Sequence, residues 1–235
     1  MICTINRRNL ALLHLKTHLI RLSSFLGGVA LKFSVIGISE TWLDDSSHYC
    51  DIIGFNFIHN HRVGRIGGGV GLHLADYLEF KHCADLVFSK DCAESLFVEI
   101  NRTKGKNIVI GVIYRPPDWK LRDFIVELWQ LVCVISKENK TVFLMGEWNL
   151  NLMNHSYHQA SGEFLDLRFS RMFFPLITRP TRITSAHTAA SLIDNIFTNE
   201  PLNQSINGLF LIIFRFLLLY LGMYRFSIRS EEHTS

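Results

Sequence analysis

Apolar residues recur along the chain in two patterns, one with helical spacing and one with strand-like runs. Leucines at spacings of three and four predict an amphipathic helix over residues 9–25, and a similar apolar face predicts a second over 120–136. A weaker third helix is predicted over 163–173. Short apolar runs predict strands at 33–39, 69–74, 78–82, 96–100, 108–114, 141–145 and 193–197. Alternation of this kind predicts an α/β domain.

Two of these runs, 108–114 and 141–145, are almost continuously apolar, which is typical of strands in the centre of a sheet. Pro116 and Pro117 separate the first of them from the second helix, because the residue before a proline avoids helical angles. A glycine-rich turn over 62–69 leads into another strand. It has the spacing of neither a P-loop nor a dinucleotide-binding fingerprint.

The tail breaks this pattern. Residues 209–221 are apolar but contain Arg215, and the run is short of the roughly 20 residues that a membrane-spanning helix needs. We therefore expect no membrane segment. Residues 229–235 look like the translation of a sequencing adapter, so we interpret the reading frame as lost after Gly208. The predicted organisation is one domain over 1–200 and an aberrant tail, frameshifted or artefactual, over 201–235.

The composition of the chain excludes few kinds of protein. The chain has 235 residues, of which 48% are hydrophobic and 19% charged, and this balance favours a packed domain over a disordered chain. A net charge of +3 decides nothing about partners. The five cysteines form no C-x-x-C pair, which indicates reduced thiols and no zinc site. No secretory signal opens the sequence, so we expect an intracellular protein, nuclear or cytoplasmic.

The most informative segment lies at the end of the 141–145 strand. Gly146 is followed by the carboxylate of Glu147 and then by the side-chain amide of Asn149. A carboxylate and an amide at the end of a core strand can hold a phosphate, its attacking water and a divalent cation, as phosphodiester cleavage requires. Taken alone, a strand ending in Gly-Glu is more often only a turn.

Other polar residues also follow core strands. Glu40 ends the 33–39 strand and Asp194 lies beside a short apolar strand, although each could be a surface acid. Asn6 ends the segment 2–5, where a helix N-cap is its ordinary explanation. Tyr114 follows 109–113 and could be a half-buried ring with a hydrated hydroxyl. Sites in α/β sheets are built at such strand ends, so together these residues predict a site.

The chain resembles the apurinic-type endonuclease domain of non-LTR retrotransposons, within the endonuclease/exonuclease/phosphatase superfamily. The resemblance covers about residues 2–199 and implies a four-layer αββα sandwich of two mixed sheets, here lacking its last strand unless the apolar tail fills the gap. The motifs that carry it are NRRNL at 6–10, ISETWL at 38–43, GGGVGL at 67–72, YRPP at 114–117, MGEWN at 145–149 and SLIDNIFTN at 191–199.

The resemblance also implies roles for single residues. Glu40 would ligate Mg²⁺ with support from Asn6, and Tyr114 would contact the scissile phosphate. Glu147 stands where the family has an aspartate that orients or deprotonates the attacking water. The remaining roles are phosphate binding by Asn149, support of the site by Asp194, and substrate contacts by Arg115 and Thr184.

Two departures from the family pattern predict an impaired enzyme. The extra methylene of Glu147 moves its carboxylate, and a misplacement of roughly 1 Å can cost on the order of 10²-fold in rate. The family also ends on a Ser-Asp-His triplet whose histidine stabilises the phosphate, and this chain has no such triplet after Gly208. Neither His187 nor His233 has the right context to replace it.

DNA is the expected partner, and no small-molecule cofactor is expected besides Mg²⁺. Basic residues cluster in predicted loops at 7–8, 59–65, 102–106 and 179–182, where they could meet phosphates or form a solvated rim. In the family this domain is fused to a reverse transcriptase, of which the chain has no motif. Two alternatives stay open: a phosphatase acting on small phosphate esters, and a catalytically dead retrotransposon fragment with residual DNA binding.

Overall fold

A computed structural model describes most of the chain. It describes residues 33–45, 52–65, 67–89, 91–154, 156, 158–182 and 190–200, and the backbone of 2–6 and 209–213. The helix predicted over 9–25 lies outside the described residues.

The first sheet has five described strands in the order β11-β1-β2-β4-β3. Strand β1 pairs in parallel with β2 and β11, whereas β4 is antiparallel to both β2 and β3. The predictions for β2 and β4 are confirmed, while the apolar pattern did not predict β1, β3 or β11. Their bounds are β1 Ile2–Asn6, β2 Val35–Ser39, β3 Phe55–Asn60, β4 Val70–Ala75 and β11 Leu209–Ile213.

The second sheet has six described strands in the order β5-β6-β7-β8-β10-β9. The two nearly continuous apolar runs form β7 and β8, which pair in parallel at the centre of this sheet, so that prediction is confirmed. The strands are β5 Phe80–His82, β6 Glu94–Ile100, β7 Ile108–Tyr114, β8 Thr141–Glu147, β9 Phe174–Pro175 and β10 Asp194–Thr198.

Two α-helices and one short 3-10 turn, Leu152–Asn154, complete the described part. Helix α1, Leu121–Ser136, follows the predicted bounds and buries its apolar face. Helix α2, Gln159–Ser170, begins about four residues and ends about three residues earlier than predicted. Its first turn contains small and polar residues that provide little periodic signal, so the apolar spacing placed its start too late.

Two separate apolar cores hold the layers together. One core lies between the sheets and includes Leu72, Val112 and Met145. The other lies between the second sheet and the helices and includes Phe124, Trp148 and Phe164. The described residues therefore form three layers of the expected α/β sandwich, and the fold class predicted from the sequence is confirmed.

The apolar tail contributes to the fold. Its first residues form β11, which lies parallel to β1 at one edge of the first sheet, with Ile2 in register with Leu209. Leu209–Ile213 thus pair with the first sheet, and the division into a domain over 1–200 and an aberrant tail stays a prediction. The adapter-like residues 229–235 lie outside the described residues, and the frameshift stays a prediction.

Two rows of paired residues define one end of the sandwich, which we call the site end. In the first sheet, Asn6, Ser39 and Val70 are successive register partners. In the second sheet, Tyr114 pairs with Glu147, and Glu147 pairs with Asp194. Most residues predicted to carry chemistry thus lie in or next to these two rows.

Candidate functional site

Three predicted site residues stand side by side at the site end of the second sheet. Tyr114, Glu147 and Asp194 are the terminal residues of β7, β8 and β10, and they are 5%, 0% and 2% exposed. Side chains alternate between the two faces of a strand. Because Val112, Met145 and Ile196, two residues along each strand, belong to the core between the sheets, these three side chains share that face.

Gly146 allows β8 to bring Glu147 into this row. Its φ is +142°, and a Cβ built at this position would lie 1.8 Å from the carbonyl oxygen of Ile113 on the neighbouring strand. A side chain cannot occupy that space. The glycine therefore does not end the strand in a turn, which was the ordinary explanation of a Gly-Glu pair; β8 continues through it to Glu147.

Glu40 comes to the same place from the first sheet. It follows the last residue of β2, has a φ of +56° and is 7% exposed. The Tyr114 hydroxyl donates a hydrogen bond of 2.6 Å to Glu40 Oε1. This contact joins the two sheets at the site end, so a tyrosine and carboxylates from widely separated segments converge there.

The glycine-rich turn holds the backbone after Glu40. Thr41 N donates to the carbonyl of Gly69 at 3.1 Å, and Trp42 N donates to that of Gly68 at 2.8 Å. A Cβ at Gly69 would lie 2.3 Å from Thr41 Oγ1, so the close approach requires glycine here. The turn that resembled no phosphate-binding motif in the sequence therefore positions the loop that carries Glu40.

Asn149 and Arg115 form a rigid support beside the acidic row. Asn149 has a φ of +49°, and its Nδ2 donates to the carbonyl of Arg115 at 2.8 Å. The Arg115 guanidinium, 3% exposed, donates in return to the carbonyls of Trp148 and Asn149, both at 2.8 Å. It also donates to the carbonyls of Pro116 and Trp119. These bonds use the guanidinium to hold backbone.

The electrostatics of Arg115 connect this support to the acidic row. Burial lowers the pKa of Arg115 from its ordinary value, while the neighbouring Glu147 and Tyr114 raise it. A buried cation beside a fully buried carboxylate offsets part of the cost of placing that carboxylate in a low-dielectric environment. Arg115 therefore stabilises the site even without reaching the surface.

Two predicted site residues cannot be placed fully. Asn6 is the last residue of β1 and is in register with Ser39, the residue before Glu40. Its backbone therefore lies at the site end. Thr184 lies outside the described residues. The roles predicted for both stay predictions.

The basic segment at 59–65 differs from the predicted loop. His59 and Asn60 belong to β3, and Arg62 forms an ion pair with Glu94, whose other oxygen accepts a hydrogen bond from Gly69 N. Arg62 also lies over the Trp119 ring, 5.6 Å from its centroid. No sequence signal pointed to Glu94, because an acid at the start of an apolar run is usually a surface residue.

The donor set at the site end suits a hard cation. Glu40, Glu147 and Asp194 offer carboxylate oxygens, which are the ligands that Mg²⁺ prefers. Within the described ranges, no group of three His, Cys, Asp or Glu side chains is close enough to hold a metal ion.

The protein is a two-sheet α/β sandwich with a buried acidic site at one end. A family model described as "Endonuclease/Exonuclease/phosphatase family" matches residues 5–208. The chain belongs to this family.

Several solved structures share this fold. The endonuclease domain of TRAS1, a telomere-specific non-LTR retrotransposon, is 15% identical with a TM-score of 0.58, and the match covers 84% of each chain. A 3′ phosphatase from Neisseria, bound to product DNA hairpin, is 12% identical with a TM-score of 0.58, over 84% of this chain and 85% of that one. The catalytic domain of Xenopus laevis APE2 is 16% identical with a TM-score of 0.57, over 84% and 82%.

No curated protein sequence matches the chain. At these identities the structural matches show the fold alone. The helices that the structure describes include none with the length and apolar character required to cross a membrane.

Proposed function

We propose that this domain is a Mg²⁺-dependent DNA endonuclease that nicks one strand of a target duplex for retrotransposition, and that this copy is impaired. The observation that supports the proposal best is the buried hydrogen bond from Tyr114 to Glu40, which joins the two sheets beside Glu147 and Asp194. Phosphodiester hydrolysis needs carboxylates and hydrogen-bond donors gathered in one place.

Glu40 is the proposed ligand of Mg²⁺, and Asn6 is the proposed support, since its backbone lies in the neighbouring strand at the same level. The bound cation would supply charge that offsets the negative charge developing on the phosphoryl oxygens. Tyr114 holds the Glu40 carboxylate through its hydroxyl and thereby limits the directions in which the carboxylate can turn.

Glu147 is the proposed group that orients or deprotonates the attacking water, with Asp194 as its register neighbour in support. Asn149 is the proposed phosphate contact. We assign Arg115 the task of positioning Asn149, because its guanidinium donates to the Asn149 and Trp148 carbonyls and is almost fully buried. This assignment replaces the direct substrate contact that the sequence suggested for Arg115.

The proposed impairment has two causes. Glu147 stands where the family has aspartate, and it is fully buried next to Gly146, where an added Cβ would lie 1.8 Å from the Ile113 carbonyl oxygen. The longer side chain therefore has little room to place its carboxylate correctly. The Ser-Asp-His triplet, which the family uses to stabilise the phosphate, is also missing from the sequence.

Two of the similar structures favour DNA as the substrate. One is an endonuclease domain of a non-LTR retrotransposon and another holds a DNA hairpin product. The Neisseria structure is a 3′ phosphatase, so phosphomonoester hydrolysis on DNA is the nearest competing activity. We also propose that the domain is normally fused to a reverse transcriptase.

A plasmid-nicking assay tests the proposal. We expect weak conversion of supercoiled to open-circular DNA with Mg²⁺, none with EDTA, and none for Glu40→Ala, whereas Glu79→Ala, at an exposed position, should behave as the wild type. Glu147→Asp should raise the rate by on the order of 10²-fold, because it restores the shorter side chain.

The alternatives produce different results in the same experiment. Nicking that survives Glu40→Ala would refute the assignment of Glu40 to the metal. A terminal 3′ phosphate released from DNA without nicking would indicate the competing 3′-phosphatase activity, and hydrolysis of small phosphate esters alone would indicate the phosphatase alternative. No cleavage by the wild type or by Glu147→Asp, together with salt-sensitive DNA binding, would indicate the catalytically dead fragment.

The role of Tyr114 has its own test with a matched control. Tyr114→Phe removes the hydroxyl that holds Glu40, so we expect a higher Mg²⁺ concentration for half-maximal nicking in the Glu147→Asp background. Tyr77→Phe removes a hydroxyl that contacts Ser34 at an exposed position and should leave that concentration unchanged. Equal Mg²⁺ requirements for the two variants would contradict the proposed role.

A further inference from the structure

A pair of histidines lies on the outer face of the first sheet. His59 belongs to β3, and His61 follows two residues later, so the two side chains lie on the same side of the chain. Ile58, between Phe57 and His59, packs against the core between the sheets, which places the histidines on the opposite face. This pair is therefore separate from the acidic site and takes no part in the proposed cleavage.

The two imidazole rings present the same nitrogen to each other. Their Nδ1 atoms are 3.4 Å apart, and the rings stack with centroids 5.3 Å apart and an interplanar angle of 27°. Two nitrogens that bind one tetrahedral Zn²⁺ at about 2.05 Å each lie roughly 3.4 Å from one another. The distance between the two Nδ1 atoms thus matches the distance between two ligand atoms of such an ion.

An acidic residue orients one of the rings. The Oδ1 atom of Asp45 lies 2.9 Å from His61 Nε2, and a carboxylate can only accept here, so Nε2 carries the proton. In neutral His61 this leaves the lone pair on Nδ1, the atom that faces His59. Metal-binding histidines usually donate their second ring nitrogen to a carboxylate in this way, which fixes the tautomer.

We propose that His59 and His61 bind a divalent transition metal ion of the zinc class, with Asp45 as the carboxylate that orients His61. Of the residues that the structure describes, no third His, Cys, Asp or Glu side chain joins the pair. Asp45 lies five residues after Glu40, so its hydrogen bond to His61 connects the segment after Glu40 to the residue that follows β3 by one position. This proposal does not rest on the proposed nuclease function.

The competing explanation is a hydrogen bond from Nδ1 of one ring to Nδ1 of the other, with no metal. Isothermal titration of the full chain with Zn²⁺ in excess Mg²⁺ distinguishes the two, because the hard Mg²⁺ ion does not compete for imidazole. We expect one Zn²⁺ per chain, loss of this binding in His59→Ala and in His61→Ala, and affinity reduced by roughly 10- to 100-fold in Asp45→Asn. His82→Ala, at an exposed histidine on β5, should leave the affinity unchanged.

A measurement on the wild type protects the test from variants that do not fold. Zn²⁺ should shift the ¹⁵N resonances of the His59 and His61 rings more than those of His82 or His158. Absence of Zn²⁺ binding by the wild type would overturn the proposal. So would Zn²⁺ binding at full affinity in folded His59→Ala or His61→Ala, or imidazole shifts confined to other histidines.

Discussion

Replacing Gly146 with alanine tests the close packing from which the site is built. The new Cβ would lie 1.8 Å from the Ile113 carbonyl oxygen, whereas real Cβ contacts essentially never fall below 3.0 Å. Strands β7 and β8 would therefore have to separate by about 1.2 Å, the difference between the two distances. Gly146 also pairs with Asn195 on its other side, so the strand cannot shift freely in either direction.

The expected cost has two parts. Alanine at φ +142° adopts a conformation that is almost restricted to glycine, at a cost of about 1–3 kcal/mol. Distorting the central ladder weakens about two backbone hydrogen bonds, each with a net value of about 1 kcal/mol. We therefore expect the free energy of unfolding to fall by about 3–5 kcal/mol, which is a large fraction of the stability of a single domain.

Urea unfolding followed by circular dichroism measures this change, with Gly54→Ala as the matched control. Gly54 also has a positive φ, +86°, but a Cβ there would meet no atom within 4 Å. The control should cost only about 1 kcal/mol, from backbone conformation alone. If the two variants lose equal stability, then the close approach of Gly146 to Ile113 is not what requires glycine, and it does not explain the position of Glu147.

Three further variants test buried polar groups. His73 is 1% exposed, burial lowers its pKa to about 4, and no described residue offers either ring nitrogen a hydrogen-bond partner. Since this folded pKa lies below the ordinary 6.5, the wild type loses stability as the pH falls from 6.5 toward 4. His73→Phe lacks this loss. When the pH is lowered from 7 to about 5, chemical unfolding should therefore show the wild type losing about 2 kcal/mol more of its free energy of unfolding than His73→Phe. Arg115→Lys cannot make all four carbonyl bonds, so urea unfolding should show a loss of about 2–4 kcal/mol, against almost none for the exposed Arg102→Lys. Burial raises the pKa of Glu99, but hydrogen bonds from two lysines and an asparagine outweigh this effect and lower the pKa to about 2. Between about pH 6 and about pH 3 the free energy of unfolding of the wild type should therefore fall by about 1–2 kcal/mol more than that of Glu99→Gln. Equal acid sensitivity of the two proteins would contradict the ion-pair network.

The strands that the sequence predicted most clearly are those that lie in the middle of the sheets. Strands β7 and β8 are buried on both faces, so almost every residue is apolar and the run is visible without other information. Strand β3 was missed because it is an edge strand whose sequence, FNFIHN, mixes aromatic, amide and imidazole groups. Strand β11 was missed because its residues belong to a long apolar run without the alternation or turn residues that mark a strand.

The candidate site was predictable for a similar reason. Glu40, Tyr114, Glu147 and Asp194 follow or end apolar runs, and polar residues at such positions are visible in the sequence. The resemblance to a known family rests on several motifs in a fixed order along the chain, which is more specific than any single residue. The resemblance implied a substrate contact for Arg115, and only the fold shows that its guanidinium donates to the carbonyls of Trp148 and Asn149.

The sequence by itself determined which segments are apolar enough to be buried, because that property belongs to each residue, and it determined which polar residues stand at their ends. Only the tertiary structure decided which ends meet. Strand pairing brings Glu147 between Tyr114 and Asp194, and stacking of the two sheets brings Glu40 to the Tyr114 hydroxyl. These contacts depend on register and on which face of each strand turns inward, and both are fixed by the packing of the whole domain.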